Sequence, residues 1–419
     1  MSFLRLREEL LALFSLGVAE PFPEPAFNEL ALQVLRFQAE ANPAYRGFMA
    51  RRGVEADAVS RWEDIPFLPA RAFKSVALVS GDPGDFERVF RTSGTTRGRQ
   101  MRGEHFVRDL ALYRESLLPN FQAHLLPEGV PMPVLCLLPS PDALPDSSLS
   151  FMMGEVARAF GTGLDGAVDM DGSMACGGGG VGSAGGYGSG FFAHPEYGLD
   201  IHGFREALAQ AKTGPVLLAG TAFAFLQWLE LAEENGWRVS LPEGSRIMET
   251  GGYKGRARTL SREDFYRCLT GAFGIPGGRI VNEYGMTELL SQFYEPVLAR
   301  EGRAGESSGE GEGERDPGAQ EARGRNGAGV GTCRFHRGPP WVRTRVLDPR
   351  TLEEVPEGEL GLLAHLDLAN LGSVAGILTE DLGRRVPGGF RLVGRSRGAE
   401  PRGCSLAMED FLAALGEGS

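Results

Sequence analysis

The chain has 419 residues, about three times the commonest domain size, so one large domain with an appendage or two medium domains is expected. Hydrophobic residues at 42% and charged residues at 23% exclude disorder throughout. Lys+Arg 43 against Asp+Glu 55 leaves −12, which excludes generic binding to nucleic acid or anionic membranes and leaves open a small anionic ligand in a local pocket.

The N-terminus, MSFLRLREELLALFSLG, is too charged for a signal peptide, and no 18-residue apolar run spans a membrane. From Leu4 to about Met49 apolar positions recur at three- and four-residue spacing, which predicts helices broken at PFPEP. Ile65-Pro66-Phe67-Leu68-Pro69 cannot be helical; it leads through Arg71 to Lys74 into a predicted strand, VALVSG. From Phe90 onward strand-like runs (PVLCLLPS, PVLLAGT, RIMETGG, RIVNEYG) alternate with amphipathic helices (FVRDLALYRESLL, FREALAQA, FAFLQWLELAEENG, SREDFYRCLTGAFG). That alternation predicts an α/β domain with a substantially parallel sheet.

Two stretches break the pattern. Gly172 to Gly190 holds ten glycines in nineteen residues, and Glu301 to Val330 holds nine glycines and six glutamates in thirty. Neither can bury enough apolar surface to offset chain entropy, so both read as flexible insertions. After Thr332 short strands are expected in RTRVLD, EVPEGELGLLAHLDL and GGFRLVGRS, with Trp341 packing inside this last part. The expected division is a helical segment 1–75 on the core, an α/β core 76–331 with insertions at 172–190 and 301–330, and a small β-rich subdomain 332–419. Five cysteines, odd in number and without CxxC spacing, argue against a disulfide framework or zinc knuckle and for a reducing cytoplasm. The six histidines form no metal-spaced pair.

Two constellations carry chemistry. In Arg91-Thr92-Ser93-Gly94-Thr95-Thr96-Arg97-Gly98, small hydroxyl residues and glycines let backbone N–H groups approach an anion while the hydroxyls donate further hydrogen bonds. The stretch lacks the GK[ST] ending of a Walker loop, and taken alone it serves equally as a polar turn between strand and helix. Asn282-Glu283-Tyr284-Gly285-Met286-Thr287-Glu288 follows a short strand, and strand C-terminal ends in open α/β sheets are where ligands sit. Its aromatic, hydroxyl and carboxylates could stack on a base, contact a phosphoryl oxygen and hold Mg²⁺; an N-capped helix start is the alternative. Gly180-Val181-Gly182-Ser183-Ala184-Gly185 satisfies GxGxxG but has no preceding strand. Asp146-Ser147-Ser148 lacks a nucleophile elbow and reads as a substrate-pocket turn.

The pair S-G-T-T-x-G and N-x-Y-G-M-T-E, in that order, resembles the adenylate-forming superfamily, and more narrowly the LuxE-type acyl-protein synthetases. Further blocks extend the resemblance nearly end to end: IPFLPARAFK, DSSLSFM, METGGYKGR, GPPWVRTRVLDP, LDLANLGSV, LTEDLG and RGCSL. It implies an α/β adenylate-forming large N-terminal domain with parallel-rich sheets and a short β-rich C-terminal part, without the full mobile C-terminal domain. It also implies that Thr92, Ser93, Gly94, Thr95, Thr96 and Gly98 hold the β- and γ-phosphates of ATP, with Gly251 and Gly252 along the adenine. Tyr284 and Gly285 then lie at the base, Thr287 contacts the α-phosphate or acyl oxygen, Glu288 binds Mg²⁺, Asp381 accepts from the ribose and Arg395 lies near ribose or phosphate. The catalytic lysine of coenzyme A ligases has no counterpart; Lys254 could substitute, or be structural after a Gly-Gly turn.

In its place stands Cys404, which in acyl-protein synthetases takes the acyl group as a thioester. Arg397 and Arg402 favour a thiolate there; the alternative is a small buried residue. The implied function is activation of a carboxylic acid, by default a fatty acid, and delivery to a partner acyl reductase. A ligase using coenzyme A or a carrier-protein thiol, and a non-catalytic nucleotide- or partner-binding descendant, are the competing expectations.

Overall fold

The computed structural model describes residues 2–82, 84–92, 102–163, 189–251, 260–298, 334–395 and 402–416, with the backbone alone for Arg402, Cys404 and Gly416. The two expected insertions therefore lie outside the described residues except for their edges, as does the GxGxxG string.

Three helices open the chain: α1 (Phe3–Ser15), α2 (Glu24–Ala41) and α3 (Pro43–Arg51). Leu6, Leu10 and Phe14 give α1 one apolar stripe, and Ser2 caps it by accepting from Arg5 N. After β1 (Leu68–Pro69) comes a tight 3-10 turn, Ala70–Lys74. The expected strand VALVSG is not one. Ser80 N donates to Gly372 O, Gly81 N to Ala41 O, and Ser373 Oγ to Leu78 O, so single bonds to separate segments replace a ladder.

The next pair, β2 (Arg88–Arg91) and β3 (Glu104–Val107), is an antiparallel hairpin, so the Thr92–Gly98 stretch links two strands rather than a strand and a helix. Helix α4 (Leu110–Leu125) starts where Asp109 accepts from Ala111 N and Leu112 N, and it runs through Pro119 because its far end still buries Phe121 and Leu125. There follow β4 (Val134–Pro139), α5 (Ser148–Phe160), β5 (Gly190–His194), β6 (Gly198–Leu199), α6 (Ile201–Gln210), β7 (Leu217–Thr221), α7 (Ala222–Glu234), β8 (Arg246–Thr250), α8 (Arg262–Phe273), β9 (Ile280–Tyr284) and β10 (Phe293–Tyr294).

Among the described residues these strands form a seven-stranded sheet in the order β10-β9-β8-β7-β4-β5-β6, parallel from β9 to β5 with antiparallel edges. The strands are near-continuous apolar runs because both faces are covered. Alternation divides them: Cys136, Leu138, Met248 and Val281 join one core, while Leu135, Leu137, Ile247 and Ile280 join the other, with the apolar residues of α6, α7 and α8.

The first core continues without a break into a second sheet. Here β11 (Val342–Leu347), β12 (Leu360–Asp367), β13 (Gly376–Val386) and β14 (Gly389–Arg395) pair antiparallel, and β1 adds parallel to β13. The block LTEDLG, not expected as a strand, lies in β13, the longest of them. Trp341 does not stay within the C-terminal part: its Nε1 donates to Ser116 Oγ of α4 at 2.8 Å and its ring lies 4.5 Å from Phe14 of α1. The chain closes with α9 (Arg402–Gly416), whose Phe411 packs edge-on to Phe48 of α3.

Candidate active site

The C-terminal ends of β7, β8 and β9 lie side by side, Thr221 beside Thr250 and Thr250 beside Glu283. Below them a buried polar network sets the strand ends. Tyr266 donates to Glu249 Oε1 at 2.8 Å, Asn282 Nδ2 to the same oxygen at 2.6 Å, and His336 Nε2 lies 2.7 Å from Asn282 Oδ1. Glu295, fully buried, accepts from Arg262 at 2.5 Å and from Arg334 at 2.6 Å. Burial raises the pKa of Glu249.

Past β9 the chain turns, and its Thr287 and Glu288 carbonyls are gripped from β3 and from the 3-10 turn after β12. His105 Nδ1 donates to Thr287 O at 2.6 Å, Asn370 Nδ2 donates to Glu288 O at 2.9 Å, and His105 Nε2 lies 2.9 Å from Asn370 Oδ1. Burial pushes the His105 imidazole down to about 4, while the Thr287 and Asn370 oxygens that face its two ring nitrogens favour the charged form. Asp367 secures the next residues by accepting from Leu290 N, Ser291 N and Ser291 Oγ.

Glu288 is 7% exposed, and burial raises its carboxyl to about 7; Arg395 and Lys74 oppose that rise and Asp381 adds to it. Two cations and two carboxylates therefore share one field at the turn. Asp381 accepts from the Tyr284 hydroxyl at 2.9 Å and from Arg395 Nε at 3.3 Å, its register partner across β13 and β14. The Tyr284 ring is itself buried among Phe293, Phe390, His336 and His365, with centroids 5.5 to 6.0 Å away.

Above this turn the β2–β3 hairpin has a closed neck. Thr92 N donates to Gly103 O at 2.9 Å, and Gly103 N donates to Thr92 Oγ1 at 2.8 Å. Arg102 donates to Thr92 O at 2.7 Å and to Asp146 Oδ2 at 3.0 Å. A methyl group added at Gly103 would come within 3.3 Å of Lys74 Cγ, so Lys74 stands beside Thr92. A Cβ at Gly251 would meet none of the described residues within 4 Å.

The structure thus brings together Tyr284, Gly285, Thr287, Glu288, Asp381 and Arg395, and sets Thr92 at the hairpin neck. Ser93, Gly94, Thr95, Thr96, Gly98, Gly252 and Lys254 lie outside the described residues. Cys404 stands in the first turn of α9, whose start is anchored by Gly403 N donating to Pro349 O at 2.8 Å. Lys74, His105, Asn370 and the Arg102–Asp146 pair were not singled out from sequence. Lys74 and Asn370 sit in the blocks IPFLPARAFK and LDLANLGSV, which carried the resemblance without a role; His105 had no signal.

The donor set fits a nucleotide triphosphate with a divalent metal. Lys74 and Arg395 offer cations for phosphate, and Glu288 offers a hard oxygen. No group of three or more acidic, His or Cys side chains able to hold a metal occurs among the described residues; Mg²⁺ is typically held by one or two carboxylates plus substrate phosphates.

The fold is of the adenylate-forming-ligase type. An open conformation of 2-hydroxyisobutyryl-CoA ligase, in complex with 2-HIB-AMP and CoA, matches 90% of this chain and 76% of that one with a TM-score of 0.55 and 16% identity. ATP-bound MatB from Rhodopseudomonas palustris matches 73% of this chain at TM-score 0.41 and 18% identity; the chain spans 47% of that structure's length. Residues 330–413 match the family described as "Acyl-protein synthetase, LuxE". The long-chain-fatty-acid–luciferin-component ligase of Aliivibrio fischeri is 22% identical over 401 residues, covering 92% of this chain and 88% of that protein. Its Vibrio harveyi namesake is 21% identical over 406 residues, covering 93% and 89%.

Proposed function

We propose that this chain activates a carboxylic acid, of the fatty-acid class, with ATP and passes the acyl group to its own Cys404 for collection by an acyl reductase. The observation that carries the reading is the turn at Thr287 and Glu288, where a buried carboxylate, Lys74 and Arg395 meet beside the neck of the phosphate-loop hairpin. A carboxylate oxygen of the acid attacks the α-phosphorus of ATP, and the bond to pyrophosphate breaks. The Cys404 thiolate then attacks the acyl carbon, the bond to AMP breaks, and the thiol proton goes to solvent.

The chain's residues act by position and charge. Lys74 and Arg395 offset charge on the phosphates, Asp381 is placed for the ribose hydroxyls, and Thr287 for the α-phosphate or acyl oxygen. Bound Mg²⁺ would be held by Glu288 and would neutralise phosphate charge. Cys404 stands in the first turn of α9.

Intact-mass measurement of wild type and Cys404→Ser, after incubation with ATP, Mg²⁺ and a panel of acids, tests this. The expected result is an ATP-dependent, hydroxylamine-labile acyl adduct on wild type and none on the variant. Pyrophosphate release without any adduct would instead mean an external thiol acceptor. Neither adduct nor pyrophosphate with any acid would leave a nucleotide- or partner-binding protein.

A further inference from the structure

At the other end of the seven-stranded sheet, away from the candidate active site, lies a cleft of about 750 Å³. It is bounded by α6 and the residues that follow it, by Trp228 of α7, and by residues 236–242. The connecting segments enter the N-terminal ends of β7 and β8, whereas Thr287 and Glu288 stand past the C-terminal end of β9. A volume of this size suits a small organic ligand.

Charge sets this cleft apart. Arg205, Lys212 and Arg238 all line it and no Asp or Glu does, in a chain whose net charge is −12. None of the three forms an ion pair among the described residues; Arg238 reaches the Gly271 carbonyl at 3.3 Å, and Lys212 has no side-chain partner. Like charges sharing a cleft focus their field into it, so an anion that enters is attracted by all three. Trp237 N, Val239 N and Leu241 N donate to Ala232 O, Ala272 O and Phe273 O, which fixes the segment. The alternate N–H groups, of Arg238 and Ser240, make no backbone hydrogen bond among the described residues and add two donors.

The wall also carries rings. Trp228, 1% exposed, packs against half-buried Trp237 with centroids 5.7 Å apart. The Arg205 guanidinium lies over the Trp237 ring at 3.9 Å, and Arg205 is exposed, so the face turned from the indole is open. A planar guanidinium on one ring can take a second ring on its other face. The carbonyl end of α8 accounts for Arg238 through Gly271, but the side chains of Arg205 and Lys212 donate to no carbonyl among the described residues.

We propose that this cleft is a second binding site, for an organic phosphate of the nucleotide class. The base lies on the open face of Arg205, and the phosphates accept from Lys212, Arg238 and the two N–H groups. The site is separate from the turn at Thr287 and Glu288 and does not depend on the reaction proposed there.

Binding of ATP, AMP and inorganic phosphate to the full chain, followed by the fluorescence of Trp228 and Trp237, tests this. Working in Asp381→Ala removes the ribose contact of the candidate active site, so the binding that remains reports on the cleft. A nucleotide should still bind, and Lys212→Glu with Arg238→Glu should weaken it at least about tenfold, the worth of one charge-assisted hydrogen bond. Arg205→Lys keeps the charge and removes the flat face; it should weaken ATP and AMP and leave phosphate unchanged. ATP ahead of AMP, or the reverse, tells which nucleotide is the source, and either order supports the site. Both reversed residues are exposed, so the urea midpoint should stay at its wild-type value; Lys212→Gln with Arg238→Gln replaces the pair if it does not fold. Equal binding with and without the charge reversal, or phosphate bound as tightly as either nucleotide, would overturn the proposal and leave the cations to offset helix ends. Absence of binding by all three probes to Asp381→Ala would overturn it as well.

Discussion

Glu288 shows how one residue's surroundings set its chemistry. A carboxyl near 4.5 in the open chain is held at about 7 here, because burial outweighs the attraction of Arg395 and Lys74. Its contribution to stability is therefore present below about pH 4.5 and is lost as pH rises through about 7. Urea midpoints measured from pH 5 to 8.5 should show wild type losing ground to Glu288→Gln as pH rises; parallel curves would contradict the assignment. The carboxylate is also the form that binds a hard cation. Pyrophosphate release should rise with pH through about 7 at limiting Mg²⁺, with the midpoint moving down as Mg²⁺ is raised.

At the level of elements, the reactive turn is held by a strand and a 3-10 turn distant in sequence. His105 of β3 and Asn370 after β12 clamp two successive carbonyls, and Asn370 Nδ2 also donates to Val374 O. Its own carbonyl is fixed by Gln38 of α2 at 3.0 Å. Asn370→Ala removes the donor that serves the buried Glu288 and Val374 carbonyls, at a cost of about 2–3 kcal/mol. Chemical denaturation should show that loss, and turnover should fall more than ATP affinity because the clamp positions Thr287 and Glu288. A variant of wild-type stability and rate would mean the turn holds itself.

Across the molecule, the last helix closes on the third. Phe411 of α9 is fully buried against Phe48, Arg52 pairs with Asp410 at 3.2 Å, and Gly47 leaves only enough room for Ala414. Removing the Phe411 ring opens a cavity at this contact. Phe411→Ala should cost about 3–4 kcal/mol in global stability and reduce acylation at Cys404, which the same helix carries. A loss under about 0.5 kcal/mol would show that α9 contributes little to the fold.

By itself the sequence determined the helices of the first fifty residues, the strands β4, β7, β8 and β9 and the helices α4, α6, α7 and α8, but not α5. In each, apolar period or run length is a local property that burial on a sheet rewards directly. It also marked Tyr284, Thr287, Glu288, Asp381 and Arg395 through motif resemblance. Tertiary structure alone decided that VALVSG is not a strand and that LTEDLG is one, because backbone pairing depends on which segments the fold brings alongside: Gly372 and Ala41 for the first, β1, β12 and β14 for the second. It decided as well that Lys74, His105 and Asn370 reach the turn at Thr287 and Glu288. Local pattern cannot carry such facts, since a polar side chain is satisfied or orphaned only by what the rest of the chain brings against it.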